Sequence, residues 1–149
     1  MKKTGLPLEI FRNYLRKKGL KFTRERLIIF NGIISISKHF DADSLCEFLK
    51  GRNKNISRAS VYRTIPLLVK SGLITESLRC NNKFSYELTF GRRHHDHMVC
   101  VKCGRIIEFY DARIEKLQNE VCKKRGFEPL RHKLGIKGYC RACLSKMRK

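Results

Sequence analysis

Residues 94–104 read HHDHMVCVKCG, and this stretch carries most of the chemistry in the chain. The segment HDHMVCV within it predicts a short β-strand. Cys100 and Cys103, followed by Gly104, are typical of a metal knuckle, because two thiolates three residues apart can bind one ion while the glycine permits a tight turn. The stretch therefore predicts a strand that leads into half of a metal site.

A second Cys-x-x-C pair, Cys140 and Cys143, supplies the other half. Four thiolates satisfy tetrahedral Zn²⁺ completely, which makes a closed, structural site. The alternative is a thioredoxin-like redox pair, but two separate pairs flank a predicted helix and no βαβ unit surrounds either. In a reducing cytosol, paired cysteines are also more often metal ligands than disulfides. The four cysteines thus favour structural zinc.

Three of the five histidines lie in residues 94–97. Because alternate side chains of a strand face opposite ways, His95 and His97 share one face, whereas His94 and Asp96 share the other. One short strand could thus serve two metal sites back to back. The alternatives are a solvated polar loop or adventitious zinc, and four ligand-type residues three positions before a Cys knuckle disfavour both.

Apolar spacing and capping residues predict four helices before this stretch. Thr23 is the predicted N-cap of the second helix, Asp41 or Asp43 opens the third, and Ser57 caps the fourth, which ends at Gly72. Two short segments, LITESL and KFSYEL, then flank a polar turn and predict a hairpin. Helices followed by a hairpin are typical of a winged helix-turn-helix DNA-binding domain.

The predicted winged-helix domain occupies residues 1–90, and residues 91–93 are interpreted as a linker. Residues 94–149 hold two more strand segments, RIIEFY and HKLGIKGY, and the helical segment ARIEKLQNEVCKKRG. This second half is therefore a small α/β domain with a four-cysteine zinc site, and the fold class of the chain is α+β.

The charge is far from neutral, with 34 Lys and Arg against 13 Asp and Glu in 149 residues. The chain up to Tyr86 has 18 basic and 6 acidic residues, and the remainder has 16 and 7. Basicity is thus spread over both halves, which favours binding to a polyanion such as nucleic acid. The alternatives are a generically basic proteome and a ribosome-associated protein.

Targeting and membrane signals are weak. No apolar run approaches the ~20 residues that cross a bilayer. The N-terminal lysines resemble a signal sequence, but Glu9 and Arg12 interrupt any apolar region after them. We therefore expect a cytoplasmic protein without a membrane partner.

Two longer motifs, HHDHMVCVKCGRIIEF with its closing Cys-x-x-C and SVYRTIPLLVKSGLI upstream, resemble the ferric uptake regulator family. The segments KKGLKFTRERL and HFDADSL also match, so the resemblance covers nearly the whole chain. It implies a winged-helix domain hinged to a dimerisation domain, and a homodimer bound to double-stranded operator DNA.

The resemblance also implies three metal sites. The structural zinc ligands are Cys100, Cys103, Cys140 and Cys143. The regulatory ligands, between the two domains, are His39, Glu87, His95, His97 and Glu108. The ligands of a further site inside the dimerisation domain are His94, Asp96, Glu115 and His132.

For DNA, the resemblance implies that Tyr62 and Arg63 lie on the recognition helix and that Lys21 reaches the minor groove. Arg58 and Ser60 precede them on the turn that leads into the groove. The remaining candidates are phosphate contacts, which could equally be solvated charges: Arg24, Arg26 and Lys83.

The function implied is a metal-responsive repressor without a small-molecule substrate, in which one ion bridges the halves and favours the DNA-binding arrangement. A His/carboxylate set without thiolate suits Fe²⁺ or Mn²⁺, although Zn²⁺ would bind more tightly in vitro. We favour iron and the control of iron uptake genes over peroxide, zinc or manganese sensing. Enzyme signatures of zinc deaminases and metalloproteases are absent, and the remaining rival is a basic zinc-ribbon module that binds RNA or the ribosome.

Overall fold

A computed structural model describes residues 5–36, 39–52, 55–77, 84–92 and 94–147 of the chain. The chain divides into two units, Met1–Arg92 and Arg93–Lys149. The described elements of the first unit are α1 (Gly5–Lys17), α2 (Arg24–Ser35), α3 (Ala42–Lys50), α4 (Arg58–Lys70), β1 (Ile74–Glu76) and β2 (Tyr86–Leu88).

Side-chain acceptors start three of these helices at predicted positions. Thr23 accepts a hydrogen bond from the backbone N–H of Arg26, and Ser57 accepts one from that of Ser60. Asp41, rather than Asp43, caps α3, and its backbone N–H bonds in return to Ser44 in a capping box. Such caps satisfy N–H groups that the first turn of a helix leaves unpaired.

Aromatic packing fixes α1 against α2. The ring of Phe11 is fully buried and lies 6.0 Å from the rings of both Phe22 and Phe30. Leu45 of α3 and Val61 of α4 belong to the same buried cluster. Each fully buried aliphatic or aromatic side chain contributes roughly 1.5–3 kcal/mol, so the core holds α4 firmly while its outer side stays accessible.

The strands β1 and β2 form an antiparallel hairpin with Ile74 opposite Leu88. The hairpin follows α4 directly, so the predicted winged helix is confirmed. Each strand has only three residues, shorter than predicted, and residues 78–83 between them fall outside the described residues. An isolated bridge pairs Phe40 with Tyr86, and it ties the start of α3 to β2.

Among its described residues, the second unit has a three-stranded sheet and two helices. Its elements are β3 (Asp96–Cys100), β4 (Ile106–Phe109), α5 (Ala112–Lys124), β5 (Gly135–Gly138) and α6 (Arg141–Met147). In the sheet order β4-β3-β5, β4 is antiparallel to β3 and β5 is parallel to it. The α+β fold class is thus confirmed, and α6 is an addition to the predicted elements.

Little apolar surface of the second unit is buried. Within its described part, the buried cluster consists of Cys100, Cys140 and Cys143, and α5 has no buried residue. Units this small usually need a metal or a partner to be stable. No described helix of either unit has the length and apolar character to cross a bilayer.

Candidate metal centres and DNA-facing surface

The four cysteines of the two Cys-x-x-C pairs converge at one end of the sheet. Their Sγ atoms all lie within 4.8 Å of one another, and Cys103 and Cys140 are 3.7 Å apart. A disulfide would need about 2.05 Å, whereas four Zn–S bonds of about 2.3 Å place the sulfurs of a tetrahedron roughly 3.8 Å apart. The sulfur spacing therefore fits a tetrahedral ion.

The knuckle geometry explains how thiolates can form here. The turn at Gly104 has a positive φ of 72°, and its N–H donates to the carbonyl of Cys100. Backbone N–H donation from Cys140 and then from Cys103 lowers the pKa of the Cys100 thiol to about 6. Burial raises the pKa of Cys143 to about 12. Neighbouring thiols thus resist ionising together unless a cation offsets their charge.

A second cluster, His94, Asp96, Glu115 and His132, also brings its ligand atoms within 4.8 Å of one another. The Nε2 atoms of His94 and His132 each lie 3.3 Å from Oε1 of Glu115. His94 Nε2 is also 3.5 Å from Oδ1 of Asp96. The four side chains come from β3, its approach, α5 and the segment before β5, all in the second unit.

Buried carboxylate oxygens give this cluster the chemistry that a cation site needs. Asp96 is only 1% exposed, and its Oδ1 accepts from the backbone N–H of Leu134 at 3.2 Å. Within the described part of the chain, Oδ2 of Asp96 is buried without a hydrogen-bond donor, and Oε1 of Glu115 is buried beside the two imidazoles without a contact of hydrogen-bond geometry. Buried carboxylate oxygens that lack hydrogen bonds are costly, and a divalent ion would offset that cost.

The first unit contains one of the predicted His/carboxylate pairs. His39 Nε2 lies 3.2 Å from Oε2 of Glu87, and both side chains are largely buried. The bridge between Phe40 and Tyr86 explains the contact, since the residues on either side of that bridge become cross-strand neighbours. Arg92 also places a guanidinium nitrogen 3.9 Å from the same Glu87 oxygen. No feature of the sequence indicated this ion pair between Arg92 and Glu87, because Arg92 was interpreted as part of a linker.

The second unit contains the other predicted regulatory ligands, two histidines and a glutamate. The register of β3 and β4 places His97 opposite Glu108. The His95 and His97 rings lie 4.9 Å apart, and His95 Nε2 is 3.9 Å from Glu108. The strand begins only at Asp96, later than predicted, yet the alternation extends back through His94 and His95.

The outer side of α4 presents the predicted DNA-contacting residues. Tyr62 is 50% exposed, and Arg58 and Arg63 are exposed as well. Lys21 and Arg24 are also exposed, ahead of and at the start of α2. Five of the predicted residues therefore have side chains that DNA can reach.

Of the three other predicted DNA contacts, Ser60 differs from expectation, Arg26 is half-buried, and Lys83 falls outside the described residues. Ser60 is only 6% exposed, and its hydroxyl donates to Glu25 at 2.7 Å, because it lies on the side of α4 that faces α2. Its side chain therefore serves packing, which corrects the expectation. The Arg26 guanidinium donates to the carbonyl of Lys21. Lys83 lies outside the described residues.

Sequence reasoning also missed an acidic residue on this surface. Oδ1 of Asp43 lies 2.5 Å from Nη2 of Arg58 and accepts from the Tyr62 hydroxyl at 3.0 Å. Asp43 and then Tyr62 raise the pKa of Arg58 above its usual value. The only sequence signal was Asp43 as an alternative cap of α3, which said nothing about α4.

The sequence is similar to that of known proteins over most of its length. The sequence profile of the ferric uptake regulator family matches residues 17–137. The ferric uptake regulation protein of Campylobacter jejuni is 35% identical over 138 residues, which cover 91% of this chain and 87% of that protein.

Solved structures agree with the sequence comparison. The Helicobacter pylori ferric uptake regulator, described as having three functional metal binding sites, matches with a TM-score of 0.82 and 31% identity over 97% of each chain. The Francisella tularensis ferric uptake regulator, solved with iron, matches with a TM-score of 0.75 and 34% identity over 85% of this chain and 96% of that one.

A winged helix joined to a unit with clustered metal ligands defines a metal-responsive transcriptional regulator, and the comparisons identify the same class. The chain belongs to the ferric uptake regulator family. It is therefore a regulator and not an enzyme, as the sequence predicted.

Proposed function

We propose that this protein is an iron-responsive repressor that binds operator DNA as a homodimer in the cytoplasm and controls iron uptake genes. The observation that carries the proposal is the division of the regulatory ligands. The first unit offers the pair His39 and Glu87, and the second offers His95, His97 and Glu108. One ion that recruits both sets would couple metal binding to DNA binding.

Ligand chemistry supports a shared ion. Two histidines and one carboxylate are a set that binds Fe²⁺ and leaves coordination positions open. His39 and Glu87 are the same kinds of ligand, and as a pair they are too few to hold such an ion alone. An ion that completes its shell from both sets favours the arrangement in which both can reach it. A coupling of roughly 1–3 kcal/mol would raise DNA affinity about 5–150-fold.

The choice of iron rests on ligand type and on relatives. None of the five proposed ligands is a cysteine, and the carboxylates are glutamates. Nitrogen and oxygen ligands suit Fe²⁺ and Mn²⁺, while Zn²⁺ would bind them more tightly if it were freely available. The Francisella tularensis relative was solved with iron and the Pseudomonas aeruginosa relative with manganese. Availability in the cell would then select the metal.

The two clusters inside the second unit have separate roles in this proposal. The four cysteines hold structural zinc, which replaces the apolar core that this unit lacks. The cluster of His94, Asp96, Glu115 and His132 binds a further ion whose loss leaves the bridging ion in place.

Homodimer formation is supported by apolar surface in the second unit. On α5, Leu117 is 61% exposed and Val121 is 50% exposed. The two residues are four positions apart and therefore share one face of the helix. Across the sheet, Met98 is flanked in register by Ile107 and Ile136, and all three are exposed. A second copy of the chain would cover such surface and present two copies of α4 to DNA.

The test compares His97→Ala with His94→Ala in Mn²⁺- or Fe²⁺-dependent binding to an enriched DNA duplex. The duplex is selected with wild-type protein from a random pool, and zinc content and helical circular dichroism are measured for each variant. We expect His97→Ala to lose metal-stimulated binding while it keeps zinc and fold. His94→Ala is the matched control from the other cluster, and we expect a milder effect.

Two outcomes would contradict the proposal. A full metal response in His97→Ala would move the switch to the cluster of His94, Asp96, Glu115 and His132. Binding of wild-type protein to RNA but not to duplex DNA would support the zinc-ribbon alternative. The same titrations with Fe²⁺, Mn²⁺ and Zn²⁺ at matched free concentrations rank the metals.

A further inference from the structure

One carboxylate oxygen on the outer surface of the first unit holds two side chains of α4. Oδ1 of Asp43 lies 2.5 Å from the guanidinium of Arg58 and 3.0 Å from the hydroxyl of Tyr62. Arg58 and Tyr62 are four residues apart on the helix and therefore share a face. Asp43 itself lies in the first turn of α3.

All three side chains remain within reach of a macromolecule. The Arg58 side chain is 63% exposed and that of Asp43 is 32% exposed. An ordinary surface ion pair adds little to stability, so a purely structural role would be weak. Because Arg58 and Tyr62 both donate to Asp43, this carboxylate instead limits the hydrogen bonds that they can donate to DNA on the surface proposed to meet it.

We infer that Asp43 is a specificity-determining residue, which keeps Arg58 and Tyr62 from binding DNA of arbitrary sequence. This inference rests on the proposed function, in which α4 enters the groove of duplex DNA. A DNA ligand must replace the carboxylate with acceptors of its own and must tolerate its negative charge. Random duplex offers mainly phosphates, which repel Asp43, whereas the preferred sequence adds base-edge acceptors at fixed positions.

The experiment measures affinity for a short random-sequence duplex against salt concentration, with Mn²⁺ present. In Asp43→Asn, Arg58 of each protomer is released to neutralise one more phosphate, so the slope of log affinity against log salt steepens by about 0.9 per protomer, or about 1.8 for the proposed dimer. The double variant Asp43→Asn/Arg58→Gln returns to the wild-type slope. Glu47→Gln is the matched control, because it removes the same charge from the exposed side of α3 and leaves the wild-type slope unchanged.

A second measurement uses the duplex enriched from a random pool with wild-type protein. The ratio of affinities for enriched and random duplex falls about two- to fivefold in Asp43→Asn, the range expected for an exposed ion pair. Helical circular dichroism checks the fold, and Asp43→Ser, which suits the first turn of a helix, is used if Asp43→Asn unfolds.

An unchanged slope in Asp43→Asn, or a steeper slope that persists in the double variant, overturns the inference. So does an equal steepening in Glu47→Gln, since that would show a general charge effect. Failure of the wild-type protein to bind any duplex with any metal would refute the proposed function instead, so the two failures are distinguishable.

Discussion

Alternation of side chains over residues 94–97 separates four ligand-type residues into two groups. His94 and Asp96 belong to one cluster with Glu115, while His95 and His97 lie beside Glu108. A shift of one residue in register would exchange the two groups. Both proposed metal sites therefore depend on the pairing of β3 with β4 and β5.

Residue-scale features were predictable where they depend on type and spacing along the chain. Two Cys-x-x-C pairs predicted one cluster of four cysteines, and such a cluster is present. The burial of Ser60 was not predictable, since it depends on which face of α4 meets Glu25 of α2. The contacts of Asp43 and Arg92 were missed for the same reason, because each partner is set by folding.

At this scale we predict that Cys103→Ser removes zinc from the second unit. Wild-type protein should carry about one structural zinc per chain, since four thiolates complete a tetrahedral shell. The variant leaves three thiolates around a site that replaces an apolar core, so zinc and the stability of this unit should be lost together. Metal analysis of purified protein and thermal unfolding are the measurements.

Cys122→Ser is the control for this prediction, because Cys122 lies on α5 and is not part of the cluster. It should keep wild-type zinc content. Retention of stoichiometric zinc in Cys103→Ser would contradict the assignment of the four cysteines.

Helix starts were the most predictable elements, because a cap is a local interaction between neighbouring residues. Thr23 and Ser57 cap the helices that they were predicted to cap, and the choice between Asp41 and Asp43 is resolved in favour of Asp41. The seven-residue α6 was missed, since so short a segment has little periodicity. The bridge between residues 40 and 86 was also missed, since it pairs distant parts of the chain.

For α3 we predict that Asp41→Ala lowers the free energy of unfolding by about 1 kcal/mol. The substitution removes the Oδ1 acceptor of the Ser44 N–H, at 2.7 Å, and half of the capping box. Urea unfolding followed by far-ultraviolet circular dichroism measures the change. Glu47→Gln on the same helix should change stability much less, and an equal loss in both variants would show that the cap is not the cause.

At the scale of the whole molecule, net charge and exposed apolar surface have opposite effects on the association of two copies. A net charge of +21 predicts salt-dependent binding to DNA, while like charge would oppose association of two copies. Apolar contact would then have to drive the proposed dimer. The face of α5 that carries Leu117 and Val121 has this character, and Lys116 lies beside it in sequence.

We predict that Leu117→Glu produces a monomer, since a buried carboxylate without a partner is too costly for an interface. Sedimentation velocity of zinc-loaded protein measures the change. The control is Lys116→Glu, which changes the net charge by more but at a polar position, and it should remain dimeric.

A dimer presents two copies of α4 and so contacts about twice as many phosphates as a monomer. The slope of log DNA affinity against log salt should therefore fall by about half in Leu117→Glu, at roughly 0.9 per phosphate lost. A Leu117→Glu protein that stays dimeric would place the interface on another surface, and the exposed sheet residues Met98, Ile107 and Ile136 would be the next to substitute.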